Sequence, residues 1–147
     1  MSLWDWTLEA YGQPGVPEAC LALQDGYGQN TSMLLWAVWA ETADPGLLAR
    51  AADAAHRWEA VALVPLRAVR RALKAPLPPI DDGAREALRD DVKAAELRAE
   101  RLLMETLEAM GGHRGGAHAL AALEAASKAW AKPAPADALA TLAAALG

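Results

Sequence analysis

Apolar and polar positions along this chain repeat at a helical period almost throughout. Ser2 followed by Asp5 supplies an N-cap with a carboxylate in the first turn, after which Leu3, Trp4, Thr7, Leu8 and Tyr11 fall on one face. Gly12 and Pro14 stop that helix. Pro17, with Glu18 beside it, suits the first position of a second helix that runs through Cys20, Leu21 and Leu23 to Gly26 or Gly28. Asn30, Thr31 and Ser32 offer the next cap. Residues 33–40 are apolar on every side, the pattern of a third helix buried on most of its surface. Asp44 and Pro45 open a long fourth helix with the stripe Leu47, Leu48, Ala51, Ala52, Ala55, Trp58, Ala62 and Leu66, running on to Lys74. Pro65 removes a backbone donor and clashes with the turn before it, so a kink or break is predicted at 61–64.

The run Pro76-Leu77-Pro78-Pro79 ends that helix, and Asp81 or Asp82 caps a long fifth one. Its predicted stripe is Ala84, Leu88, Val92, Ala95, Ala99, Leu102, Leu103, Thr106 and Met110. A glycine-rich break at 111–116 precedes a sixth helix through Leu120, Leu123, Ala126 and Trp130. Lys132-Pro133-Ala134-Pro135 stops it, and an Ala-rich last helix carries Leu139, Leu142 and Leu146. Few large side chains anchor that last element, so 131–147 is predicted to dock loosely. The connections are short and no solenoid period repeats, which predicts a single all-α domain over 1–147, a compact bundle of six or seven helices.

Composition strengthens the helical reading. Ala occurs 37 times, whereas Val, Ile and Thr together occur 12 times, and Ala favours helices as β-branched residues favour strands. Much of the 54% hydrophobic content is therefore Ala, which buries little area per residue. The net charge of −5 argues against nucleic acid as a partner, because phosphate counterions are displaced by a basic face. One cysteine, Cys20, allows no intrachain disulfide and no multi-cysteine zinc site, and it fits a reducing compartment. The start lacks the positive and apolar regions of a signal peptide, and no apolar run reaches the length of about 20 residues that spans a bilayer. A cytoplasmic location is expected, with no membrane span.

Four of the six tryptophans lie in two close pairs, Trp4 with Trp6 and Trp36 with Trp39. The second pair, at i and i+3, reads as core. Trp6 lies about 200° round its helix from Trp4, so one of the two must look away from the first core layer. With Trp4 assigned to the core, Trp6 is expected to meet a second subunit, a partner or the C-terminal segment. Gln24, Asp25, Gln29 and Asn30 form the densest polar stretch near these rings and suit a pocket rim. A helix end, a glycine turn and an N-cap explain the same residues.

His56 and Glu59, at i and i+3, are the best polar constellation on a helix, since a carboxylate orients a histidine or joins it on a metal. Neither Glu-x-x-His nor His-Glu-x-x-His occurs, so a surface pair explains them as well. Arg67, Arg70, Arg71 and Lys74 form a basic stripe that suits an anion or a lipid surface. Pairing with Asp81, Asp82, Glu86, Asp90 and Asp91 after a tight turn is the internal alternative. Arg114 in the glycine-rich loop lacks the strand and lysine of a phosphate loop, and His113 and His118 meet His56 only if the fold brings them together. No nucleophile, metal or cofactor motif is readable, and Cys20 reads as an inert core thiol.

Leu3-Trp4-Asp5-Trp6, Pro14-Gly15-Val16, Ala19-Cys20-Leu21, Leu23-Gln24-Asp25, Gly28-Gln29-Asn30 and Leu34-Leu35-Trp36 with Trp39 together resemble the N-terminal signature of an uncharacterised family of small proteobacterial proteins, a domain of unknown function. The resemblance implies a bacterial, cytoplasmic, helical protein and carries no activity or site residue. The residues themselves favour a helical protein-interaction or scaffold domain acting through an aromatic patch, with a protein partner or a homodimer. An enzyme using His56 and Glu59 on a small ligand or metal, and an anion or lipid-surface binder through the basic stripe, are the alternatives.

Overall fold

The computed structural model describes residues 1–111 and 115–147; the expectations placed on His113 and Arg114 lie outside the described residues. The elements are α1 (Leu3–Tyr11), α2 (Val16–Tyr27), α3 (Thr31–Trp39), α4 (Pro45–Trp58), a π-helical turn (Glu59–Leu63), α5 (Val64–Ala72), α6 (Asp82–Met110), α7 (Ala119–Trp130) and α8 (Ala136–Leu146). Among the described residues there is no strand, and α4, the π turn and α5 form one interrupted rod, giving a bundle of seven helical rods.

The starts are fixed by side-chain caps. Ser2, Asn30, Asp44 and Asp81 each accept a hydrogen bond from the backbone N–H three residues on. Gly28 ends α2 in the left-handed region (φ 63°), where a glycine carries no Cβ penalty. Pro65 sits just after the π turn, where a proline disrupts the helical ladder, so the predicted break is accommodated by one wide turn.

The core forms around α3, which packs on α7, α6, α1, α4 and α2 and buries every residue from Ser32 to Ala37. Leu3, Leu23, Leu48, Leu107 and Leu123 are buried on the surrounding helices, each worth roughly 1.5–3 kcal/mol of burial. On the far side of α3, the backbone of Gly115 lies so close to Glu41 that a Cβ would come within 2.4 Å of its carbonyl oxygen. Only glycine fits that approach. The C-terminal segment buries Leu139 and Leu142 and packs α8 on α2 and α7.

Two predicted faces are rotated. In α1 the buried positions are Leu3, Thr7 and Ala10, with Leu8 and Tyr11 exposed and Trp4 and Trp6 both half-buried on either flank. In α6 the buried set is Arg85, Glu96, Ala99, Leu103, Met104 and Leu107, while Leu88 and Leu102 are each 51% exposed.

Candidate functional site

The chain reverses direction between α2 and α3, and that reversal faces the π turn. Asn30 joins the two. Its Oδ1 caps α3 by accepting from Met33 N at 2.9 Å, and its Nδ2 donates to Glu59 Oε2 at 3.0 Å. The loop is held from behind by the end of α7. The Trp130 indole N–H donates to Gly28 O at 2.8 Å, and Gln29 Nε2 donates to Lys132 O at 3.1 Å. These bonds frame a polar cavity of about 120 Å³, lined by Gln24, Gly28, Gln29, Asn30, Thr31, Ser32, Glu59, Leu63, Arg67 and Glu100.

Two of the lining residues also carry a side-chain atom that is closed to solvent and has no hydrogen-bond partner among the described residues. Gln29 is 3% exposed, and with its amide nitrogen committed to Lys132 its Oε1 is an unpaired buried acceptor. Arg67 Nε is likewise buried without a hydrogen bond, 3.7 Å from Glu96 Oε1. A buried polar group left unsatisfied costs about 1–3 kcal/mol, so both are local weak points behind the cavity wall.

Beside the lining, charge sits in a poorly solvated setting. Arg70 Nε donates to Glu96 Oε2 at 2.6 Å, and Glu96 lies within one turn of Glu100. Burial, and then the Glu96 charge, push the Glu100 carboxyl above the usual range, against the pull of Arg67 and Arg70. Beside it, the Tyr11 hydroxyl is raised by burial and by Cys20, and burial pushes the Cys20 thiol up to about 11. Both stay protonated at neutral pH, so Cys20 is a poor nucleophile.

Three stretches read separately in the sequence therefore meet here: Gln24, Gln29 and Asn30 from the polar loop, Glu59 from the helix pair, and Arg67 from the basic stripe. Other candidates go elsewhere. Asp25 is exposed, and Trp4 lies under the Arg101 guanidinium, 5.4 Å from its ring centre. His56 parts from Glu59: its ring stacks on Trp130 at 3.6 Å and its Nε2–H donates to the Trp130 carbonyl oxygen. The basic stripe pairs internally through Glu96 rather than through the acidic start of α6. Arg85 binds Asp82 there and caps the Leu73 carbonyl, while Arg71 and Lys74 are exposed. Among the described residues no three His, Cys, Asp or Glu side chains gather as a metal-ligand set, and no helix is long and apolar enough to cross a membrane. Trp6 and Trp39 are both half-buried and line a separate groove of about 530 Å³ with Met1, Glu9 and Leu146. Glu100, Glu96 and Trp130 had no sequence signal as site residues, since each is explained as an ordinary helix position.

The match to known families bears on the same region. A family described as a protein of unknown function (DUF2390) matches residues 2–107. The chain belongs to this DUF2390 family. The matched span carries the whole lining of the polar cavity, whereas Trp130 and Lys132, which brace its loop, lie beyond it. Comparison with curated proteins finds no significant match. Comparison with solved structures likewise finds none.

Proposed function

We propose that this DUF2390 chain is a helical ligand-binding domain whose site is the polar cavity between the α2–α3 reversal and the π turn. One observation carries the reading: polar and charged residues far apart in sequence, Gln24, Gln29, Asn30, Glu59, Arg67 and Glu100, converge on this one cavity. The π turn adds to it, because such turns are frequent at functional sites and this one contributes Glu59 and Leu63. A thermal-shift screen of small polar compounds tests it. A ligand that binds the folded state raises Tm by mass action, and the shift should disappear in Gln29→Met, which keeps side-chain length and removes the amide. A shift unchanged in Gln29→Met would place binding elsewhere.

A second reading is favoured by the paired Trp6 and Trp39 on the larger groove, with Leu146 of α8 on its rim. Half-buried tryptophans are enriched where protein surfaces meet. In this reading the domain self-associates through that groove, and Trp6→Ala converts a dimer into a monomer by light scattering. A wild-type chain monomeric at every accessible concentration removes it.

A further inference from the structure

We infer that one edge of α6 is a self-association face, on which a second copy of this chain lays its own α6 antiparallel. The face is separate from the polar cavity and from the Trp6 groove, with which it shares no lining residue. Its centre is an apolar groove of about 420 Å³ between the end of α4, the π turn and α6. Trp58, whose indole N–H donates to Ala99 O at 2.8 Å, lines it with Val61 from one side, and Leu102 and Thr106 line it from α6. Val61 is 73% exposed and Leu102 51%. Exposed apolar side chains are ordinary when scattered, but these two line a single groove.

The sequence of α6 indicates what covers the groove. Leu88, Val92, Ala95, Ala99, Leu102 and Thr106 follow one another at alternating steps of four and three residues, the spacing at which one helix packs along another. The chain's own core takes a different face of α6. Of these six only Ala99 is buried, and Leu88, Leu102 and Thr106 are exposed. The charges beside this seam select the second helix. Asp91, Arg98 and Glu105 mark its outer edge at seven-residue steps, while Glu96 and Leu103 on the opposite edge are already buried in the core. A parallel pair sets the outer edge of one helix against the opposite edge of the other, so only an antiparallel pair brings two outer edges together. With the two-fold axis beside 101 and 102, Arg98 of each copy stands opposite Glu105 of the other, Leu102 opposite Ala99, and Ala95 opposite Thr106. Arg98 is exposed and makes no ion pair among the described residues. Glu105 holds Arg101 through Oε1 at 3.0 Å, which leaves its Oε2 for the second copy. Asp91 has no counterpart in this register, and Asp53 and Arg57 beside the groove pair with each other at 3.1 Å. One surface thus matches itself, as a two-fold interface requires.

Sedimentation equilibrium of the full chain tests this. The wild type should form a dimer. Arg98→Glu and Glu105→Arg each set like charges against each other twice, so each should weaken the dimer roughly tenfold or more. Mixing the two variants, or joining them in one chain, should restore it, because opposite charges meet again. Leu102→Glu should abolish the dimer, and Trp6→Ala, which separates this face from the Trp6 groove, should leave it intact. Arg98, Leu102 and Glu105 are exposed, so thermal unfolding should show each variant as a folded chain. A wild-type chain that stays monomeric up to its solubility limit overturns the inference and leaves the groove to a helix of another protein. A dimer that resists both charge variants, or is lost only in Trp6→Ala, overturns the face. Two weakened variants that fail to dimerise on mixing overturn the antiparallel pairing.

Discussion

Asn30→Ala is expected to destabilise the domain by about 2.5–4 kcal/mol, the sum of a lost N-cap (~1 kcal/mol) and a lost part-buried hydrogen bond to a carboxylate (~1.5–3 kcal/mol). For a chain of this length that lowers Tm by roughly 5–15 °C. The reason is positional: one amide both starts α3, the most buried helix, and ties its first turn to Glu59 across 29 residues of sequence. Asn30→Ser separates the two parts. Serine caps a helix as well as asparagine does but cannot reach Glu59, so it should recover the cap and leave the second loss. Denaturant unfolding of the three proteins measures both terms; equal stability of Asn30→Ser and wild type would show that the Glu59 bond contributes nothing.

The second large effect is expected at Trp130. Its truncation to alanine should cost about 3–5 kcal/mol, the usual range for deleting a buried tryptophan. Trp130 does three things at once: it fills core space at 6% exposure, stacks under His56, and donates its indole N–H to Gly28 O. Trp130→Phe keeps an aromatic ring against His56 but removes the donor, so it should lose the Gly28 bond and loosen the cavity rim. His56→Ala should cost no more than about 1.5 kcal/mol, the worth of an aromatic pair. If His56→Ala proved as damaging as Trp130→Ala, the histidine rather than the tryptophan would be the anchor.

The same residues show what could be read from the chain and what could not. Caps and breakers act locally, and Asn30, Asp44, Gly28 and Pro65 each do what their chemistry dictates in sequence. The apolar run of α3 leaves no polar face to expose, so its burial was equally legible. The buried face of α6 was not. Its predicted stripe from Leu88 to Thr106 follows a seven-residue period, whereas Arg85, Glu96 and Leu107, all buried, are spaced by eleven, the repeat of a nearly straight helix. Two of those three are charged, so a search for apolar residues passes over them.

The Trp4 and Trp6 pair misled in a related way. Their separation of about 200° round the helix suggested that one ring would be core and the other outward, yet the small residues Thr7 and Ala10 sit innermost and both rings flank them. Trp39, grouped with Trp36 as core, is half-buried on the groove, while Trp36 is fully enclosed. The cavity was legible only in part, as a pocket rim at Gln24, Gln29 and Asn30. Its members come from α2, the α2–α3 loop, the start of α3, the π turn, α5 and α6, and most had a sufficient local explanation as cap, surface pair or charged stripe. Only their convergence in the fold makes one cavity of them.

The cavity is also where the account is most directly tested. Isotope-labelled protein can be titrated with a compound that the thermal-shift screen selects while the side-chain amide signals of Gln29, Gln24 and Asn30 are followed by NMR. The account predicts saturable shifts centred on Gln29, weakened by Glu59→Gln, with the indole N–H signals of Trp6 and Trp39 unmoved. Shifts confined to those tryptophans, or none at the Gln29 amide, would contradict it.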